Sequence, residues 1–329
     1  MLGLVREAGG IGDVICLGAA ARAIKKQGYP EEVVVFVPHE FVAIAQRLRY
    51  VDEVISLGPL KEITPHRRQR DAEMHDKLYP YLEPAVKWQR RYNAQLVSMF
   101  CPGFLYENSQ PGKLEYNRPQ LFAMAAGVQD VSDVHPAWCI RLEDHDEASK
   151  CLAPLGMSNL PLVAVQLRGT CAARSFPEEA RLELIKRLIP ICHPLIFDCV
   201  QLPFEVPAGA TGIVGLPIDT VAAILCRCKV ALCVDSCFIH LAAALNRSAI
   251  GIFGPTDGEV ITQTYAGHIA LDGRSTRCIR LCSYNHQKGW TRNCRSTGCA
   301  RMFSHVDHMN GIVDAVQRAL EEGLWQLVL

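Results

Sequence analysis

Val230–Asp257 reads VALCVDSCFIHLAAALNRSAIGIFGPTD. An apolar run, Val230–Val234, stops at Asp235-Ser236. A helical run follows through His240, Leu241 and Ala242–Ala244, and a second apolar strand, Ala249–Phe253, stops at Gly254-Pro255-Thr256-Asp257. Strand, helix and strand in this order predict a βαβ unit, which brings two strand ends and one helix start together. Ligands of parallel sheets bind at the carboxyl ends of the strands. Helix N-termini there offer unpaired N–H groups and a positive dipole, which suit phosphate. The plainer reading is an ordinary βαβ unit in which Asp235 or Ser236 caps the helix.

The N-terminus repeats the pattern. A short apolar run, Leu2–Val5, leads to Gly9-Gly10-Ile11-Gly12-Asp13 and then to a helical pattern from Val14 to Lys26 that ends at Gly28. Glycines between strand and helix let a ligand approach the backbone closely. The spacing is not the GxGxxG of a dinucleotide site, and no acid clearly ends the next strand, Val33–Val37, before Pro38. A nicotinamide enzyme is therefore disfavoured. Asp13 is a carboxylate at the mouth of the sheet, either a helix cap or a general base.

Together these segments resemble glycosyltransferase family 9, the ADP-heptose:lipopolysaccharide heptosyltransferases. One signature of that family is Gly-x-Gly-Asp followed by Pro-Ala-Leu-Arg-Ala-Leu-Lys. Here it reads Gly10-Ile11-Gly12-Asp13, then Ala19-Ala20-Ala21-Arg22-Ala23-Ile24-Lys25. The second is Asp-(Thr/Ser)-Gly-x-x-His-Leu-Ala-Ala-Ala-Leu, then a strand and Gly-Pro-Thr-Asp. Here it reads Asp235-Ser236-Cys237-Phe238-Ile239-His240-Leu241-Ala242-Ala243-Ala244-Leu245, then Gly254-Pro255-Thr256-Asp257. A third match follows the strand Leu162–Leu167, where Arg174-Ser175-Phe176-Pro177 stands for the family's Lys-x-Trp-Pro. Cys237 in place of glycine, Ala19 in place of proline and Arg174 in place of lysine mark a divergent branch.

Composition agrees with an enzyme of this size. The 329 residues are 49% hydrophobic with a formal net charge of zero, which argues against general nucleic-acid binding. The length exceeds what one core usually supports, so two domains are expected. No run of about 18 apolar residues is present to span a membrane, and no charged-then-apolar leader opens the chain. Fifteen cysteines, an odd count, suit a reducing cytoplasm better than a disulfide scaffold.

Strand and helix patterns alternate in both halves. The strands are expected at Leu2–Val5, Val33–Val37, Glu53–Leu57 and Gln95–Phe100, then at Leu162–Leu167, Leu195–Asp198, Gly212–Val214, Val230–Val234 and Ala249–Phe253. Helices are expected at Pro177–Ile189 and Asp219–Cys226. Such alternation predicts two α/β domains with parallel sheets covered on both faces. The turn-forming residues Pro154, Gly156, Ser158 and Pro161 put the border between residues 1–155 and 156–329. The resemblance implies the GT-B architecture, two Rossmann-like domains facing a central cleft, with acceptor bound by the first and nucleotide sugar by the second.

Two further segments carry chemistry. Leu60–Ala94 is longer than a standard crossover and holds His66-Arg67-Arg68-Gln69-Arg70 and Lys87-Trp88-Gln89-Arg90-Arg91-Tyr92. These are a solvated helix face or, as the resemblance implies, an acceptor-binding surface. Near the C-terminus, Cys278, Cys282, Cys294 and Cys299 are spaced to hold a structural zinc or iron. The alternative is four small core residues.

The resemblance implies an inverting transferase that needs no catalytic metal. Asp13 would take the acceptor's proton, and Arg174 would offset the pyrophosphate charge. Gly10, Gly12, Thr170, Asp235, Ser236, Cys237, His240, Gly254, Pro255 and Thr256 would line the donor site, with His240 structural in character. The donor would be a nucleoside-diphosphate sugar such as ADP-heptose, and the acceptor a saccharide, a lipid-linked sugar or a protein. Work in the cytoplasm at the inner face of the membrane, peripheral membrane contact and homo-oligomers are compatible with this. The competing classes are a catalytically degenerate GT-B scaffold and a nucleotide-sugar epimerase.

Overall fold

The computed structural model describes residues 1–7, 9–28, 31–63, 73–99, 115–155, 160–170, 174–273 and 306–322. The four C-terminal cysteines lie outside these residues, as does the basic run 66–70. The chain divides into two compact units, one built mainly from residues 1–111 and 116–139, the other mainly from 140–329.

The first unit is a parallel sheet in the order β3-β2-β1-β4, from β1 (Leu2–Val5), β2 (Val33–Val37), β3 (Glu53–Ser56) and β4 (Gln95–Ser98). The first two strands are buried along their whole length, as expected of continuous apolar runs in a sheet covered on both faces. Helix α1 (Ile11–Lys26) presents Ala19, Ala20 and Ala21 to the interior. Helix α2 (Glu73–Tyr92) covers the sheet with Ala85 and Trp88, whose ring meets Phe36 edge-on at 5.3 Å. Gly3 makes room for that packing, because a Cβ there would stand 2.7 Å from Leu96 and 3.0 Å from Trp88. Helix α3 (Arg118–Ala125) packs against α1. Asn117 caps α3 by accepting from the Gln120 N–H at 3.0 Å, and Gln120 Oε1 accepts from Asn117 N in return.

The second unit is a six-stranded parallel sheet ordered β10-β9-β8-β5-β6-β7. Its strands are β5 (Leu162–Gln166), β6 (His193–Asp198), β7 (Thr211–Val214), β8 (Val230–Val234), β9 (Ala249–Phe253) and β10 (His268–Asp272). Its helices are α4 (Leu142–Leu152), α5 (Glu178–Leu188), α6 (Ile218–Leu225), α7 (Cys237–Ala244), α8 (Gly258–Thr262) and α9 (Val306–Glu321). One core joins Val163, Val165, Leu232, Val234 and Ile250 of the sheet to Leu184 and Leu188 of α5 and Ile312, Val316 and Ala319 of α9. On the α7 side, Phe238 stacks at a tilt on Phe197, with centroids 5.2 Å apart.

Each expected strand is present, four with the expected bounds and the others with an end shifted by one or two residues. The half-exposed edge strand β10 completes the sheet and has no counterpart among the expected elements. The expected border at residue 155 falls instead after Cys139. The reason is α4, which packs on α6. Arg227 ties it there, donating to the His145 carbonyl at 2.8 Å and to Ser149 Oγ at 2.6 Å. Among the described residues no helix is long and apolar enough to cross a membrane.

Candidate active site

A doubly wound sheet opens a crevice where neighbouring strands send their connections to opposite sides, and ligands bind at that switch point. In the first unit it lies between β1 and β4. The residues ending these strands are joined by hydrogen bonds: Met99 N–H donates to the Val5 carbonyl at 2.8 Å, Arg6 Nη1 to the Met99 carbonyl at 2.9 Å, and Ser98 Oγ to Glu7 Oε1 at 3.2 Å. Arg6 and Glu7 are both buried.

Asp13 stands beside this point, in the first turn of α1. Its Oδ2 accepts the Gly10 N–H at 2.9 Å, so the carboxylate does cap the helix. Gly9, at φ +126°, sets the turn, and a Cβ there would meet Asp13 Oδ2 at 2.4 Å. Gly10 is exposed and Gly12 half-buried in the first turn of α1. Two guanidiniums converge on the other oxygen, Oδ1: Arg6 Nη2 at 3.4 Å, and Arg118 Nη1, which hydrogen-bonds to it. Burial opposes the charge on Asp13, but Arg118, Arg6 and the Gly10 N–H outweigh it and hold the carboxyl far below the usual carboxylate range. Asp13 is therefore ionised at any working pH, and its basicity is suppressed while both arginines hold it.

In the second unit the switch point lies between β5 and β8. Ser236 Oγ donates across it to Gln166 Oε1 at 2.8 Å and accepts the Phe238 N–H at 3.2 Å, so Ser236 is the cap of α7. Asp235, buried to 3% exposure, accepts Arg174 Nη2 at 2.7 Å on one oxygen and Thr256 Oγ1 at 2.7 Å on the other. The ends of three sequence-distant segments thus converge on one carboxylate beside the N-terminus of α7. Arg174 is 30% exposed, and a guanidinium carries five N–H donors.

The residues that follow Arg174 are tied to the end of β5. Gly169 N–H donates to Ser175 Oγ at 3.0 Å and Phe176 N–H to the Leu167 carbonyl at 2.9 Å. A Cβ on Gly169 would stand 2.7 Å from the Arg174 carbonyl oxygen. Thr170 is exposed. Gly254 and Pro255 are buried behind Thr256, and Asp257 caps α8 through the Val260 N–H at 3.3 Å. Cys237 occupies the first position of α7, where burial pushes its thiol up to about 11 and keeps it neutral.

His240 takes a structural position, its Nδ1 2.7 Å from the Tyr265 hydroxyl, and Tyr265 in turn lies edge-on to His268. Burial drives His268 down to about 4, so this ring is neutral. The acid that ends the second strand of this unit, Asp198, sits where dinucleotide enzymes read a ribose. Here Arg168 occupies it, through Nε at 3.0 Å and Nη2 at 2.5 Å.

Sequence patterns located Asp13, Arg174, Asp235, Ser236 and Thr256, and the structure brings the last four together in one unit. They missed Arg6, Arg118, Gln166 and Tyr265. Arg118 lies far along the chain from Asp13, and its one local signal is the helix start Asn117-Arg118-Pro119. Among the described residues no group of His, Cys, Asp and Glu could hold a metal ion.

Residues 209–298 match the family model of glycosyltransferase family 9 (heptosyltransferase), a range that includes α7, β9 and the Gly254–Asp257 turn. No curated protein matches the chain in sequence. Solved structures share its fold. ADP-heptose lps heptosyltransferase II of E. coli is 15% identical with a TM-score of 0.61, over 99% of each chain. A glycosyl transferase family 9 protein of Veillonella parvula is 12% identical with a TM-score of 0.67, over 99% of this chain and 97% of that one. The iron-containing dodecameric glycosyltransferase TibC of enterotoxigenic E. coli is 14% identical with a TM-score of 0.58, over 97% of this chain and 76% of that one. The chain thus has the two-sheet α/β fold of these transferases and, within its C-terminal unit, a stretch that matches the glycosyltransferase family 9 model.

Proposed function

We propose that the chain moves a sugar, heptose or a close relative, from a nucleoside-diphosphate donor to an acceptor hydroxyl with inversion and without a catalytic metal. The observation that carries the reading is the Arg174–Asp235–Thr256 cluster at the N-terminus of α7. It sets a cation, a hydroxyl and a helix dipole at a switch point, which is the chemistry a pyrophosphate needs. Asp235 fixes the aim of Arg174. When the sugar–phosphate bond breaks, Arg174 and the helix N–H groups offset the charge that develops on the departing nucleotide.

In the first unit Asp13 supplies the base. It takes the proton of the acceptor hydroxyl as that oxygen bonds to the anomeric carbon, and the nucleoside diphosphate leaves with the electron pair of the broken bond. The polar groups at the ends of β1 and β4, buried Arg6 and Glu7 with exposed Ser98, suit a polyhydroxylated acceptor, either a saccharide, a lipid-linked sugar or a protein. The cysteine usage fits a cytoplasmic setting, where nucleotide sugars are made.

The test is release of ADP from ADP-heptose on addition of candidate acceptors, with the anomeric configuration of the product read by NMR. The reading expects acceptor-dependent release and an inverted product, retained in chelator. It fails if no nucleoside-diphosphate sugar is turned over, or if activity needs an added divalent ion.

A further inference from the structure

The two arginines on Asp13 are not equivalent. Arg6 is buried, with 7% of its side chain exposed. It is also anchored through Nη1 to the Met99 carbonyl and lies 5.4 Å from the centre of the Phe122 ring. Arg118 reaches the same oxygen from the first turn of α3, with 37% of its side chain exposed. One partner is built into the core, and the other can leave without opening it.

A carboxylate that must accept a proton is poorly served by two close cations, because the best general base has a proton affinity near the working pH. Both Oδ atoms of Asp13 are also already engaged, Oδ2 by the Gly10 N–H and Oδ1 by the arginines. Asp13 itself is buried, so an acceptor hydroxyl that takes the place of the more exposed partner, Arg118, gains the Oδ1 site that Arg118 holds. Among the described residues the charged groups acting on it are Arg118 from α3 and Arg6 from the end of β1, and Glu7 beside Arg6 accepts from Ser98.

We propose that Arg118 is a releasable positioning residue that masks Asp13 until the acceptor takes its place, and so suppresses wasteful hydrolysis of the donor. This rests on the reading of Asp13 as the base. In the wasteful reaction a water gives its proton to Asp13 while its oxygen bonds to the anomeric carbon. The bond from that carbon to the β-phosphate oxygen breaks, and free sugar and nucleoside diphosphate are released. With Arg118 in place, Asp13 is a weak proton acceptor and water is not activated.

Two measurements test this on the full chain. The first needs no donor: titration of the Asp13 carboxyl by carbon NMR, assigned with Asp13→Asn. Arg118→Gln should move the titration upward toward the ordinary carboxylate value, and Arg118→Lys should keep it low. Identical titration in wild type and Arg118→Gln overturns the proposal.

The second measurement is acceptor-free hydrolysis of ADP-heptose. Arg118→Gln should raise it about tenfold or more, given what general bases contribute. Arg118→Lys should restore suppression, and Asp13→Asn with Arg118→Gln should return the rate to background. An unchanged or lower rate in Arg118→Gln, or a rise that survives loss of Asp13, overturns the masking role. Wild-type transfer by Asp13→Asn alone would instead remove the reading of Asp13 as base, whatever Arg118 does. Melting curves of each variant separate loss of fold from loss of masking.

Discussion

Asp13→Asn takes one negative charge from between two guanidiniums and leaves the shape of the side chain almost unchanged. The amide oxygen still accepts the Gly10 N–H, so the helix cap survives. What changes is that Arg6, at 7% exposure, and Arg118 now converge with no counter-charge between them. Breaking a buried pair from one side costs about 3–5 kcal/mol. The half-exposed Arg118 can swing to water, so its share lies nearer the surface range of about 0–1 kcal/mol.

The net expectation is a loss of about 3 kcal/mol, borne mostly by Arg6. The pH dependence has a definite sign. The folded state lowers the proton affinity of Asp13 from its ordinary value of 3.8, so the stabilisation is complete above that value and is lost as pH falls below it. The gap between wild type and variant should therefore stay constant from about pH 5 to 8 and narrow only below about pH 4. Urea unfolding followed by tryptophan fluorescence reads this directly, since Trp88 and Trp138 both lie in the first unit. A loss under about 1 kcal/mol at pH 7, the surface-pair value, would refute the buried clamp. A gap that closes between pH 6 and 5 would refute the assignment of its charge to Asp13.

Other sites yield independent tests. Arg174→Ala should weaken ADP binding by about 10–100-fold, the loss of one charge-assisted contact of about 1.5–3 kcal/mol, and Arg174→Lys should recover part of it, as read by calorimetry. Gly258→Ala should cost about 1–3 kcal/mol in a thermal melt, because the new Cβ would stand 2.3 Å from the buried Phe253 ring. Tyr265→Phe should cost about 1 kcal/mol by removing the hydroxyl bound to His240, with nucleotide affinity unchanged. If Cys278, Cys282, Cys294 and Cys299 hold a structural metal, freshly purified, reduced protein carries zinc or iron that is lost when Cys278 and Cys282 are both replaced by serine, and metal-free wild type rejects that reading.

The strands were readable because buried parallel strands are continuous apolar runs and their turns hold glycine, proline and aspartate. Gly10–Asp13 and Asp235–Ser236 stood out for the same reason, since chemistry at a switch point sits in the few residues between a strand and a helix. Arg6 and Arg118 were hidden because an arginine is ordinary at most surface positions. Only the packing of α3 against α1 turns Arg118 into a partner of Asp13. The two units part after Cys139 rather than at the turn residues near 155, because the contacts of α4 with α6 determine which unit a helix packs in. β10 was missed because it is a half-exposed edge strand with no long apolar run.

The central claim is that the second unit binds the pyrophosphate of a nucleotide sugar through Arg174, Thr256 and the N-terminus of α7, oriented by Asp235. Calorimetric titration of the full chain with ADP, GDP, UDP, CDP and NAD tests it most directly, in wild type and Asp235→Asn. The account predicts clear binding of one nucleoside diphosphate, silence from NAD, and at least about tenfold weaker binding in the variant, equivalent to about 1.4 kcal/mol. Binding of NAD, or nucleotide affinity indifferent to Asp235, would contradict it.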